Sequence, residues 1–188
     1  MREMTDAEMR ALVARARWAT ICTASPDGEP YAVEATPYRE GDEVCFMINP
    51  RGGTWRNLYP MGADAAHQPG PVAGPVAGPG AASGASPGAG DHPGEGRVLL
   101  KFTLTNRALT WWAGVSCHGT GRFDTDPQAI RRGFRLLGEV MGSDYSGAGE
   151  RFAATPGNSP LLRVRVERMT GRCSAAEGEA LFGATMEM

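Results

Sequence analysis

The sequence predicts an α+β fold: a six-stranded antiparallel split β-barrel with flanking helices. Three observations carry this. Between Trp18 and Leu58, three apolar segments joined by tight turns run into a basic, glycine-bearing loop. From Val98 to Leu104, apolar and polar residues alternate with a period of two. Helical spacing is confined to short segments near the start of the chain and after Asp126. Runs of strands with helices at the ends and corners suit a barrel rather than a sandwich.

Thr5-x-x-Glu8 is a capping box, and the helix it opens carries Met9, Leu12, Val13 and Ala16 on one face. Trp18 to Thr23 is the first strand, the turn Ser25-Pro26-Asp27-Gly28 follows, and Pro30 to Ala35 is the second. A second turn at Glu40-Gly41-Asp42 leads to the strand Val44 to Ile48. Val98, Leu100, Phe102 and Leu104 then share one face of a fourth strand. The fifth, Trp111 to Arg122, ends in Gly119 and Gly121, where a barrel must bend. Asp126-Pro127 pairs an N-cap with proline at the first helical position, and that helix presents Ile130, Phe134, Leu137 and Met141 for burial. Leu162, Val164 and Val166 face inward on the last strand, alternating with Arg163, Arg165 and Glu167. Ser174-x-x-Glu177 is a second capping box, for a short terminal helix.

Gly62 to Gly96 stands apart, because 25 of its 35 residues are Gly, Ala or Pro, too little apolar surface to offset the entropy of ordering them. The predicted organisation is therefore residues 1–61 as the first part of the barrel, 62–96 as a disordered insertion, and 97–188 as the second part with its short helix. Histidines 67 and 92 then lie in the insertion and are solvated.

Net charge is −2 and the pI is near 5.9, which gives no reason to expect nucleic acid or a membrane surface as a partner. The four cysteines are widely spaced and none form Cys-x-x-Cys, so reduced thiols and a cytoplasmic protein are expected. The N-terminus has no apolar run that could serve as a signal peptide, and no segment is long enough to cross a bilayer. No nucleophile with its base, catalytic carboxylate pair or metal cage is recognisable.

Three strands feeding a loop of Arg51-Gly52-Gly53-Thr54 suit a small barrel that holds a phosphorylated cofactor at its rim, although the same loop could simply end a hairpin. The order and spacing of Ala19-Thr20, Asp27-Gly28-x-Pro30, Gly119-Thr120-Gly121-Arg122-Phe123 with Asp126-Pro127, and Val164-x-Val166-x-x-Met169-Thr170-Gly171-Arg172 carry a family likeness. They resemble the FMN-binding split barrel of the pyridoxamine 5'-phosphate oxidase-like superfamily, nearest to the nitroimidazole-resistance branch. The likeness runs from Thr5 to Arg172, with the insertion excepted. It breaks at the cofactor loop. Where the family carries a His-Ser pair and then Gly-Arg-Lys, this chain has Met47-Ile48 and Gly52-Gly53-Thr54.

The resemblance implies a flavoprotein with FMN as cofactor, a homodimer with the flavin at the subunit interface. It also implies hydride or electron transfer from a nicotinamide donor, NAD(P)H, to a small-molecule substrate. Arg17 would face the flavin or its phosphate, unless it only complements the helix C-terminus. Trp18, Ala19 and Thr20 would give edge and backbone contacts, and Met47, Ile48 and Asn49 would line the ring or ribityl chain. Arg51, Thr54 and Arg56 would meet the phosphate in place of the missing cations, and Gly114 would approach from the other side. Trp55 either stacks on the cofactor or packs, with packing favoured for it and for the Trp111-Trp112 pair. Cys117-His118 reads as a strand segment with a half-buried histidine rather than metal or haem ligands, and Arg131, Arg132 and Arg135 as a solvated helix face. Without the branch histidine, efficient nitroimidazole reduction is not expected, and neither is pyridoxamine-phosphate oxidation. The competing reading is a non-enzymatic dimeric module that stores flavin or binds haem or another heterocycle.

Overall fold

The computed structural model describes residues 1–58, 95–106 and 110–175. Its strands are β1 (Arg2–Glu3), β2 (Ala19–Ala24), β3 (Pro30–Ala35), β4 (Tyr38–Glu40), β5 (Glu43–Met47), β6 (Glu95–Thr105), β7 (Trp112–Phe123) and β8 (Leu161–Cys173). Its helices are α1 (Asp6–Arg15), α2 (Gly53–Leu58), α3 (Pro127–Met141) and α4 (Ser146–Ala153). All strand pairs are antiparallel, in the order β3-β2-β6-β7-β8-β5-β4, with β1 added beside the end of β8. Among the described residues β3 and β4 do not pair, so the sheet curls without closing. This is the α+β split barrel the sequence predicts. Two short strands, β1 and β4, join the expected six.

Most of the inserted segment and the expected terminal helix lie outside the described residues. Glu95 and Gly96 already belong to β6. Gly96 lies against Leu58, so the strand resumes where α2 ends.

The core fills the concave side. Ile21, Phe46, Leu100, Phe102, Val115, Leu162 and Val164 are fully buried there, closed off by Met9, Leu12 and Val13 of α1. Burying each large apolar side chain is worth about 1.5–3 kcal/mol. The expected capping box forms, with Glu8 N–H donating to Thr5 Oγ1 and Thr5 N–H to the Glu8 carboxylate at 2.8 Å. Gly119 marks a register shift between β7 and β8 and lies directly on the Arg165 carbonyl oxygen, so the strands approach too closely there for a side chain.

A second apolar cluster, absent from the sequence reading, covers the opposite face of β5 and the start of β8. Tyr38, Cys45, Ile130, Phe134, Ala153 and Leu161 pack there, and Phe134 stacks on Phe152 of α4 with ring centroids 5.6 Å apart. Ile130 and Phe134 are buried as expected, and Leu137 is partly so. Met141 is not buried, because α4 packs near Arg131 and Phe134 and leaves the last turn of α3 uncovered.

This second layer explains Arg163. Alternation placed it outward, but the helices cover that face and the residue is 7% exposed. Its guanidinium donates to Asp124 at 2.7 Å, Glu43 at 2.9 Å and Glu40 at 2.6 Å. Glu40 also receives Arg132 at 2.7 Å, and Glu43 receives Arg122 at 3.1 Å. Three guanidinium groups thus balance three carboxylates. The network ties the β4–β5 hairpin to β8 and α3. Burial opposes the charge of Glu40, yet the bonds from Arg132 and the charge of Arg163 hold its carboxyl below the usual range.

Candidate functional site

The loop after β5 is built by its own backbone. Ile48 N–H donates to the Pro160 carbonyl at 2.9 Å, which anchors the strand end. Asn49 then accepts twice, from Arg51 N–H through its side chain at 3.0 Å and from Gly52 N–H through its carbonyl at 3.0 Å. That turn starts α2, whose Gly53 lies beneath the Tyr31 ring. A β-carbon there would sit 2.5 Å from Tyr31 Cε2, so the close approach requires glycine.

Thr54 follows and is 1% exposed, with an Oγ1 that has no hydrogen-bond partner among the described residues. A buried hydroxyl left unpaired costs about 1–3 kcal/mol. Arg51 and Arg56 are exposed on either side, and Arg56 Nη1 reaches the Arg51 carbonyl at 3.4 Å. Arg56, Tyr31, Gly53 and Asn57 border an open cavity of about 580 Å³. Its far wall carries Asp27 and Glu29, which oppose the binding of a dianion.

The structure thus gathers Asn49, Arg51, Thr54, Trp55 and Arg56 into one short segment. Trp55 is half-buried. The other candidates are dispersed. Ala19 and Ile48 point into the main core, and Met47 packs on the second cluster against Gly133 of α3. Arg17 is exposed, and Trp18 is exposed at 58%. Thr20 lies half-buried on the outer face of the sheet, opposite Lys101 in register.

Gly114 belongs to a different cavity, of about 550 Å³, on the β6–β7–β8 side of the sheet. The Lys101 ammonium lies over it, 3.2 Å from where a β-carbon would stand, and donates to Ser116 Oγ at 3.3 Å. Sequence reasoning missed Lys101. It is the only lysine in the chain, against eighteen arginines, on the polar side of an otherwise alternating strand. That rarity was the available signal.

The thiols of Cys45 and Cys117 are not poised to react. Burial pushes Cys45 up to about 12 and Cys117 up to about 11, so both stay protonated at neutral pH. Burial likewise raises the Tyr38 phenol, and its Oη has no partner among the described residues. His118 is half-buried on β7, and no cluster of three or more metal-ligating side chains occurs among the described residues. No helix among them is long and apolar enough to cross a membrane.

No family model matches the sequence, and comparison with curated proteins finds no match. Solved structures do match. A Bacteroides thetaiotaomicron protein assigned to 5-nitroimidazole antibiotic resistance superposes with a TM-score of 0.56 at 16% identity, covering 92% of this chain and 86% of that one. A heme storage protein from Vibrio cholerae gives 0.52 at 11%, covering 87% and 92%. A FAD-binding protein from Mesorhizobium loti gives 0.51 at 15%, covering 93% and 98%. With the strand order and register above, the chain shares the split-barrel fold of these solved structures.

Proposed function

We propose that this chain binds a flavin-type cofactor, FMN, at the loop between β5 and α2. In this reading it acts as a homodimeric oxidoreductase that passes hydride or electrons from a nicotinamide donor to a small acceptor. The observation that carries the reading is Thr54: its hydroxyl is buried, without a partner among the described residues, and flanked by two exposed arginines. A phosphate oxygen would accept from it, and Arg51 and Arg56 would supply the charge that the family's Gly-Arg-Lys supplies elsewhere. Of these three, Arg56 borders the open cavity beside the loop, where Asp27 and Glu29 would weaken the hold on a phosphate.

Once bound, the isoalloxazine ring would provide the redox chemistry. The protein's part is to hold and shield it. Tyr31 over Gly53 walls one side of the loop cavity, and Asn49 fixes the turn that aims Arg51. Trp18 and Thr20 leave a partly uncovered strip on the outer face of β2, which a second copy of the chain would close.

Binding without turnover, as a flavin or haem store, is favoured by one observation. Met47 and Ile48 are committed to the two apolar clusters and bring no proton donor to the strand end. One experiment addresses the primary reading. Changing Arg51 and Arg56 together to Ala is expected to weaken FMN binding about tenfold or more, with the fold intact by circular dichroism. Unchanged affinity would reject the loop as the phosphate site. NADH-dependent reduction of the bound flavin separates turnover from storage.

A further inference from the structure

We infer that the cavity between the β2–β3 turn and α2 binds a basic amino acid such as arginine, with Asp27 and Glu29 receiving its cationic side chain and Arg56 its carboxylate. This cavity, of about 580 Å³, lies at the turn end of the hairpin. Tyr31 pairs with Thr23 and so shares the face of Ile21, opposite the outer face that carries Thr20.

Both walls are fixed by bonds of their own. Ser25 closes the turn: its N–H donates to the Glu29 carbonyl, its carbonyl accepts from Gly28 N–H, and its hydroxyl accepts from Glu29 N–H, each at 2.9 Å. The same hydroxyl donates to the Asp27 carboxylate and holds that carboxyl below its ordinary range, so Asp27 stays charged. On the other side, Asn57 Nδ2 donates to Thr23 Oγ1 at 3.0 Å, which pins α2 to β2 and keeps Arg56 at the cavity.

Charge chooses the ligand. Asp27, Glu29 and Arg56 line one cavity, yet none of them has an ion pair among the described residues. Two carboxylates and one guanidinium leave one net negative charge, which suits a ligand of net charge +1 that also carries a carboxylate. Basic amino acids have that pattern. Tyr31, 37% exposed, adds an aromatic wall. A planar guanidinium can stack on such a ring while its N–H fork meets a carboxylate, which favours arginine over lysine.

The inference stands apart from the flavin reading, with which it shares only Arg56. Calorimetry on the full chain tests it with ligands alone. L-Arginine is expected to bind saturably. L-Citrulline, nearly the same shape without the side-chain charge, and agmatine, which lacks the carboxylate, should each bind about fivefold more weakly. Glu29→Gln and Asp27→Asn should each weaken arginine binding about fivefold without weakening FMN binding, whereas Arg51→Ala should weaken FMN binding alone. Absence of arginine binding, equal binding of citrulline, or undiminished arginine binding by Glu29→Gln would overturn the site. The citrulline comparison decides even if a variant fails to fold. A protein that binds arginine but not FMN would overturn only the cofactor proposal.

Discussion

Two hydroxyls, Thr54 Oγ1 and Tyr38 Oη, are buried without partners among the described residues, and they make opposite demands on the account. Tyr38 sits against Gly133 of α3, inside the second apolar cluster and away from the loop. Tyr38→Phe should leave stability equal or higher and FMN affinity unchanged. Thr54→Val should also hold or raise the stability of the ligand-free protein, by up to about 1 kcal/mol, since it removes an unsatisfied polar atom. Unlike Tyr38→Phe, it should weaken FMN binding, and thermal melts with and without FMN check both variants. Arg163 is the opposite case, a buried cation fully engaged. Arg163→Met leaves Asp124 without its guanidinium partner and takes one of two from Glu40 and Glu43, and should cost about 3 kcal/mol at pH 7. Arg163 helps to hold the Glu40 carboxyl below its ordinary range, a stabilisation present above the unfolded value and lost as pH falls, so the loss should shrink from pH 7 towards about pH 4. Urea titrations at the two pH values would show it. The burial of Tyr38 and of Arg163 was not legible from alternation. A two-residue period tells which face a side chain takes, but not whether helices distant in sequence cover that face.

Elements with local signals were legible. Thr5-x-x-Glu8 forms its capping box, and the Asp126 side chain accepts from Gln128 and Ala129 N–H at the start of α3. The turn at Gly28 takes the positive φ of 89° that glycine tolerates. Elements without such signals were missed. β1 has only two residues and exists through its pairing with β8, while α4 is a Gly- and Ala-rich helix held by packing on α3. The capping box has a pH consequence. Led by the hydrogen bond from Arg2, its contacts hold the Glu8 carboxyl at about 2 rather than the ordinary 4.5. A depressed carboxylate stabilises the fold above its unfolded pKa, and the contribution fades as pH falls from 4.5 towards 2. Glu8→Gln keeps the box geometry without the charge, so it should melt lower than the parent at neutral pH and converge with it near pH 2. The β7–β8 shift is tighter still. Gly119→Ala would drive a β-carbon into the Arg165 carbonyl and should cost about 1–3 kcal/mol by denaturant unfolding.

At the scale of the whole molecule, the sheet's two sides divide the work. The concave side is filled by core, and the opposite side is helix-covered over β5 and the start of β8 but leaves Trp18, Trp112 and Lys101 partly or largely accessible. The barrel was legible because hairpin turns and alternation are local. The site was only half legible, because the loop's cations appear in the sequence, whereas Lys101 meets Gly114 only through strand pairing. In the proposed function the barrel takes up flavin through the Thr54 loop. Titrating the purified protein with FMN, and following flavin fluorescence together with the melting temperature, tests this most directly. Saturable binding of one FMN per chain is expected, with stabilisation of about 2.7 kcal/mol at one hundred times the dissociation constant. No saturation and no thermal shift at millimolar-scale FMN would contradict it.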